Sequence, residues 1–254
     1  MTLQFALLII VLLVNFFIGL IVLTRASRDI IARTFFVIIL SIILWITSNL
    51  LLDFIRNPLF VLIAAKSAYI GAILIASSFL YFVTVFPEGD YKFSKKVKVF
   101  ILFCSLIFIL LAVSNFLVKD VEILSWGVNI IPGAFYSAFG VYFIGFMISA
   151  LVILIRKLYI EKGIGRSQIL YLFTGVILST IGGSLTNLII PYFTGDFSIS
   201  TYGPLFSVFF IGFTAYAILK HGLFNIKVIA TELLVFAIWV AVLIEVFLAE
   251  TWKE

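Results

Sequence analysis

Enzyme chemistry needs a nucleophile beside a base, paired carboxylates or a cluster of metal ligands, and this sequence holds none of these. Its one histidine, His221, stands between Lys220 and Gly222 with no second imidazole, and its one cysteine, Cys104, lies in an apolar run with no second thiol for a disulfide or a metal. No phosphate-binding glycine loop is present, so the sequence predicts no catalytic residues, no metal and no cofactor. What remains is a scatter of polar residues inside long apolar runs: Ser41, Trp45, Asn49 and Asp53 at successive spacings of four, then Lys66 and Tyr69, then Asn187. Side chains that hydrogen-bond or carry charge are costly in hydrocarbon, so they mark helix contacts, hydrated cavities or ligand sites.

The elements that position these residues follow from composition. The 254 residues are 64% hydrophobic and 11% charged, with a mean hydropathy of +1.31, which no water-soluble fold can bury. Apolar runs of spanning length fall at 3–23, 34–54, 59–86, 98–118, 135–155, 168–190 and 205–219, and an eighth, interrupted by Glu245, at 228–249. The sequence therefore predicts an all-α integral membrane bundle of seven transmembrane helices over 1–227, with a C-terminal hydrophobic helix and tail over 228–254. The first run has no basic region before it and no cleavage site after it, and reads as a retained helix. Pro58, Pro87, Pro132, Pro191 and Pro204 punctuate the runs.

Lysine and arginine alternate between the loops. Arg25, Arg28 and Arg33, then Lys92, Lys95, Lys96 and Lys98, then Arg156, Lys157, Lys162 and Arg166, then Lys220 and Lys227 fall on one side, against Arg56 and Lys119 on the other. Basic residues are retained in the cytoplasm, so the N-terminus is predicted outside and the segment after the seventh helix inside. With the charge of +5 explained by orientation, nucleic acid is not expected as a partner.

Antiparallel threading then puts Asn49, Asp53, Lys66, Tyr69 and Asn187 at comparable depth near the outer surface, where they predict a small polar cavity between helices two, three and six. Two readings of Lys66 compete: an ion pair with Asp53 or a place on the cavity wall, and a stem that snorkels its ammonium to the headgroups. Gly175, Ser179 and Gly183, four apart on helix six, predict a face for close helix packing. The loops 119–134 and 191–204 are long enough for an outer cap, with Trp126, Tyr192 and Tyr202 as interfacial anchors or as the lid of a site.

Three stretches carry a family resemblance: NFFIGLIVLTRASRDIIARTFFVIILSIILWITSNLLLD (Asn15–Asp53), YFVTVFPEGD (Tyr81–Asp90) and AYAILKHGLFNIKVIATELLVFAIW (Ala215–Trp239). They are similar to the seven-helix N-terminal sensor region of bacterial membrane histidine kinases. The resemblance implies an input module in the cytoplasmic membrane, acting as a homodimer or on a downstream kinase, that passes on a small-molecule, peptide or lipid signal by helix movement. No phosphoacceptor segment or ATP-binding motif follows, so no enzyme activity is expected of this chain, whether it stands alone or forms part of a longer protein. The segment 228–249 is open between a span and a re-entrant or interfacial helix. Two other classes stay in view: a small transporter or channel, which predicts inverted repeats and midplane charges, and a scaffold subunit held by the small-residue faces. A retinal pump is disfavoured, because no lysine lies between Leu205 and Leu219.

Overall fold

A computed structural model describes residues 3–26, 30–87, 95–124 and 127–221. The elements run α1 (Leu3–Ala26), α2 (Ile30–Phe54), α3 (Pro58–Val85), α4 (Lys95–Val113), β1 (Val118–Leu124), β2 (Gly127–Pro132), α5 (Tyr136–Ile160), α6 (Gly163–Ser184), a π turn (Leu185–Ile189), α7 (Ile190–Thr194), a 3-10 segment (Ser198–Phe206) and α8 (Ser207–His221). Among the described residues five helices are long and apolar enough to cross a membrane: Ile30–Leu52, Pro58–Val85, Lys96–Val113, Tyr136–Ile160 and Gly163–Thr194. Leu8–Val22 and Ser198–Thr214 are shorter apolar helices. The predicted helix at 228–249 lies outside the described residues.

Local chemistry sets the boundaries. Asn57 caps α3, its side-chain oxygen accepting from the N–H groups of Leu59 and Phe60, and Pro58 takes the first turn, where an N–H has no helical partner. Gly195, at φ 70°, closes α7 in the left-handed conformation. Hydroxyls inside the helices bond back to their own backbone: Thr34 to Ile30, Ser41 to Val37, Ser77 to Ile73 and Ser105 to Ile101. That satisfies each group where lipid offers no partner.

The helices form a closed ring. α2 lies along α3, α5 packs on both α3 and α6, α6 lies along α8, and α1 joins α8 to α2. α4 sits outside, against α3, with Phe100, Leu102, Phe103, Leu106 and Leu110 exposed. A glycine allows the close approach of α2 and α3: Gly71 of α3 lies against the backbone of Trp45 on α2. At one end of the bundle Phe35, Phe82 and Phe210 meet at ring-centroid distances of 5.8–5.9 Å, with Phe79 and Phe86 stacked along α3 on Phe82.

The opposite end departs from a purely helical reading. The predicted loop 119–134 folds as an antiparallel hairpin, pairing Val121 with Ile130 and Glu122 with Asn129. Lys119, Asp120 and Glu122 are exposed, whereas Val118, Val128 and Ile130 are buried against the helices. The alternation of side chains on a strand separates the two sets. The predicted loop 191–204 is likewise ordered, as α7 and the 3-10 segment.

Candidate functional site

A cavity of about 140 Å³ opens inside the ring at the hairpin end. α2 supplies Ile38, Ile42, Trp45, Asn49 and Leu52, and α3 supplies Tyr69, Ala72, Ile75 and Phe79. α5 adds Phe139, Phe143 and Met147, and α6 with its π turn adds Ser179, Gly183, Ser184 and Asn187. Val128 and Ile130 of the hairpin, with Phe197, Ser200 and Gly203, form the cover. Among the described residues none of the lining side chains carries a charge.

The wall owed to α6 depends on a proline. In an α-helix the Asn187 carbonyl receives the N–H of residue 191, and in a π turn the Thr186 carbonyl does; Pro191 has no N–H for either. Hydroxyls from outside the helix take their place. Tyr136 of α5 donates to the Asn187 carbonyl at 3.3 Å, and Ser200 of the cover donates to the Thr186 carbonyl at 3.1 Å. The bulge thus ties α6 to α5 and to the cover. Asn187 donates its amide to the Gly183 carbonyl at 3.1 Å and packs on Gly203, where any β-carbon would collide with it. Tyr69 stands edge-on to Tyr136 at 6.1 Å and to Phe139 at 5.2 Å.

Ser179 links the cavity to α8. Its hydroxyl donates to the Phe206 carbonyl at 2.7 Å and accepts from the Phe210 N–H at 2.9 Å. Those two backbone groups are an i, i+4 pair that would bond each other in a continuous α-helix, so Ser179 is inserted into the ladder where the 3-10 segment becomes α8. One turn away, Gly175 brings the helices together, with room for no β-carbon between it and Phe209, Phe210 and Phe213.

The structure brings three of the five predicted cavity residues together, Asn49, Tyr69 and Asn187, on the cavity wall. The side chain of Asp53 lies outside the described residues. Lys66 corrects the prediction: it leaves the cavity and donates to the Val113 carbonyl at 3.0 Å and to the Asn115 side chain at 2.8 Å. Those acceptors are at the C-terminus of α4, whose unsatisfied carbonyls and dipole attract a cation, so lipid headgroups are not needed to hold it. The packing stripe is corrected too. Gly175 and Ser179 meet α8, but Gly183 has nothing within 4 Å of a β-carbon and opens on the cavity; the packing residue is its neighbour Gly182, pressed on the Phe206 ring. Tyr192 and Tyr202 are exposed and do not line the cavity, and Trp126 lies outside the described residues.

Sequence reasoning missed Lys157. Counted as a loop residue, it is only 4% exposed and donates to the carbonyls of Val83 at 2.8 Å, Thr84 at 3.4 Å and Phe86 at the end of α3. A buried ammonium needs such acceptors, and the C-terminus of a helix supplies them. No nearby sequence signal marks it. Trp45, Ser184, Ser200 and Ser207 also line the cavity; the proline four residues after Asn187 was the available signal for the bulge that places Ser184.

Among the described residues no group of histidine, cysteine and carboxylates could hold a metal ion, and the described cavity wall offers apolar surface and a few hydrogen-bonding side chains. No curated protein matches the chain at a significant level. A family model described as the N-terminal 7TM region of histidine kinase matches residues 7–227, a stretch that contains every wall of the cavity and both lysine caps. The chain belongs to that family of membrane sensor regions, an input region and not a catalytic domain.

Proposed function

We propose that this chain is the signal-receiving module of a histidine-kinase-type system in the bacterial cytoplasmic membrane. A small molecule enters the cavity, and α8 carries the response towards a kinase, in the same chain or as a downstream partner, within a dimer. The observation that carries this reading is Ser179: one side chain both lines the cavity and completes the broken hydrogen-bond ladder of α8. Pressure on α6 from an occupied cavity therefore acts on the junction where α8 begins. The hairpin end faces the outside, as the distribution of lysine and arginine argues, and all seven apolar helices cross the bilayer. In that orientation the cavity opens towards the exterior and α8 runs inward.

The transporter reading requires a path through the other half of the bundle. Phe35, Phe82 and Phe86 are almost wholly buried there, and Phe79, stacked on Phe82, lines the cavity. A cavity backed by these buried rings fits reception better than transport.

The test is a fusion of the chain to a reporter kinase. Ser179→Ala removes the inserted hydroxyl and lets the Phe206 carbonyl and Phe210 N–H close on each other, so basal kinase output should shift while membrane insertion is unchanged. An output equal to the parent fusion, with the variant inserted and folded, would sink the proposed route.

A further inference from the structure

We infer that the 3-10 segment Ser198–Phe206, with Phe197 before it, is a gate over the cavity, and that the Ser200 hydroxyl latches it shut on the Thr186 carbonyl. The inference rests on the cavity being the signal site proposed above and says how that site is entered.

The latch exists because of Pro191. Inside the π turn the Ile190 N–H goes to the Leu185 carbonyl, five residues back. The same register would send the next N–H to the Thr186 carbonyl, and residue 191 has none to send. A carbonyl without a donor is costly inside a membrane bundle, and Ser200 meets the need at 3.1 Å. A side chain of the cover thereby takes a place in the hydrogen bonding of α6. The other cavity residues of this part of the cover rest nearby. Phe197 stands edge-on to the Tyr136 ring at 6.0 Å, and Tyr136 donates to the Asn187 carbonyl. Gly203 packs on the Asn187 side chain. All three bear on the π turn or on the tyrosine that holds it.

Of the two parts of the cover, this is the one built to move. The hairpin is braced by its own ladder and by two backbone bonds at its base, where the N–H groups of Gly133 and Phe135 donate to the carbonyls of Leu117 and Phe116 at 2.9 Å. A 3-10 run of nine residues is longer than its poorly aligned hydrogen bonds usually sustain, and Pro204 takes one donor out of it. The place of the segment is therefore set by what it rests on, and a stretch held in this way opens at lower cost than a paired one. Phe197, 3% exposed, closes the cavity from this side. When the segment lifts, Phe197 leaves the roof and the Thr186 carbonyl loses its donor in one motion.

The test uses the full chain in lipid nanodiscs in a Cys104→Ser background, with Gly183→Cys as the probe inside the cavity and, in a separate sample, Lys119→Cys as an exposed reference on the hairpin. The rate of modification by a small neutral methanethiosulfonate is measured for each. Ser200→Ala leaves the Thr186 carbonyl without its donor while the gate is shut, so labelling of the cavity probe should quicken by about threefold to tenfold, the worth of one hydrogen bond, with the reference rate unchanged. Ser200→Thr keeps the hydroxyl and should label like the parent. Backbone hydrogen exchange over 198–206 should rise with Ser200→Ala while that of α2 and α3 stays as in the parent. Cavity labelling indifferent to Ser200→Ala, an equal acceleration by Ser200→Thr, faster labelling without faster exchange in the segment, or a rise in exchange across α2 and α3 as well would each overturn the gate. The two readings fail separately. If labelling ignores Ser200 and filling the cavity at Gly183 still alters the output of a fused kinase, the gate falls and the sensor reading stands. If Ser200→Ala opens the cavity as expected and kinase output ignores its filling, the gate stands and the sensor reading falls.

Discussion

Gly71→Ala and Gly183→Ala add the same methyl group to two membrane helices, and the structure assigns them opposite outcomes. At Gly71 a β-carbon would lie 2.9 Å from the backbone nitrogen of Trp45 and 3.0 Å from both its Cα and Cβ. These atoms belong to the spine of α2, so relief requires α2 and α3 to separate by several tenths of an ångström along their shared length. Overpacking of this kind costs about 1–3 kcal/mol. At Gly183 a β-carbon meets nothing within 4 Å and projects into the cavity. Both changes receive the same gain in helix propensity, up to about 1 kcal/mol in water, so the difference between the variants isolates the contact. At roughly 2–4 °C per kcal/mol for a chain of this size, Gly71→Ala should melt about 2–12 °C below Gly183→Ala when unfolding is followed in one detergent. The displacement also moves Trp45, a cavity residue, so Gly71→Ala should weaken ligand binding along with stability. Equal melting temperatures for the two variants would refute the packing argument at the α2–α3 contact.

The lysine caps predict a ranked pair: Lys157→Met strips buried carbonyls at the end of α3 of their donor and should cost about 1–3 kcal/mol, whereas Lys66→Met, at a more accessible helix end, should cost about 0.3–2 kcal/mol, both read from melting in detergent. Lys66→Met should also leave binding in the cavity unchanged, because its ammonium is bound to α4 and not to the cavity. Orientation predicts that, in a Cys104→Ser background and intact cells, Asp196→Cys reacts with an impermeant thiol reagent and Lys162→Cys does not; the reverse labelling would invert the topology and place the cavity mouth in the cytoplasm.

Depth was legible in the sequence, and direction was not. Hydropathy located the apolar helices within a few residues, and counting along them put Asn49, Tyr69 and Asn187 at one level, where they do share a cavity wall. Counting could not say which way Lys66 turns, because the acceptors it uses, at Val113 and Asn115, are supplied by a helix distant in sequence. A single step along a helix turns a side chain by about a quarter of a turn, enough to exchange the packing role of Gly182 for the open position of Gly183. Downstream of Gly183 the π turn shifts the register again, so a fixed spacing of four loses its meaning beyond Ser184. The hairpin was hidden by its brevity. Val118–Leu124 and Gly127–Pro132 alternate in burial only in part, interrupted at Lys119 and Asp120 and at Gly127 and Val128, and each is short enough to pass for loop beside runs of twenty apolar residues.

In the proposed route, occupation of this cavity is what α8 transmits. Gly183→Cys, in a Cys104→Ser background fused to a reporter kinase, places a thiol on the cavity wall, and a small neutral methanethiosulfonate can then fill the space covalently. Kinase autophosphorylation is measured before and after modification, with the extent of labelling read by mass spectrometry. Stoichiometric labelling should change kinase output, and the change should disappear when Ser179→Ala is added. Complete labelling with unaltered output would contradict the claim.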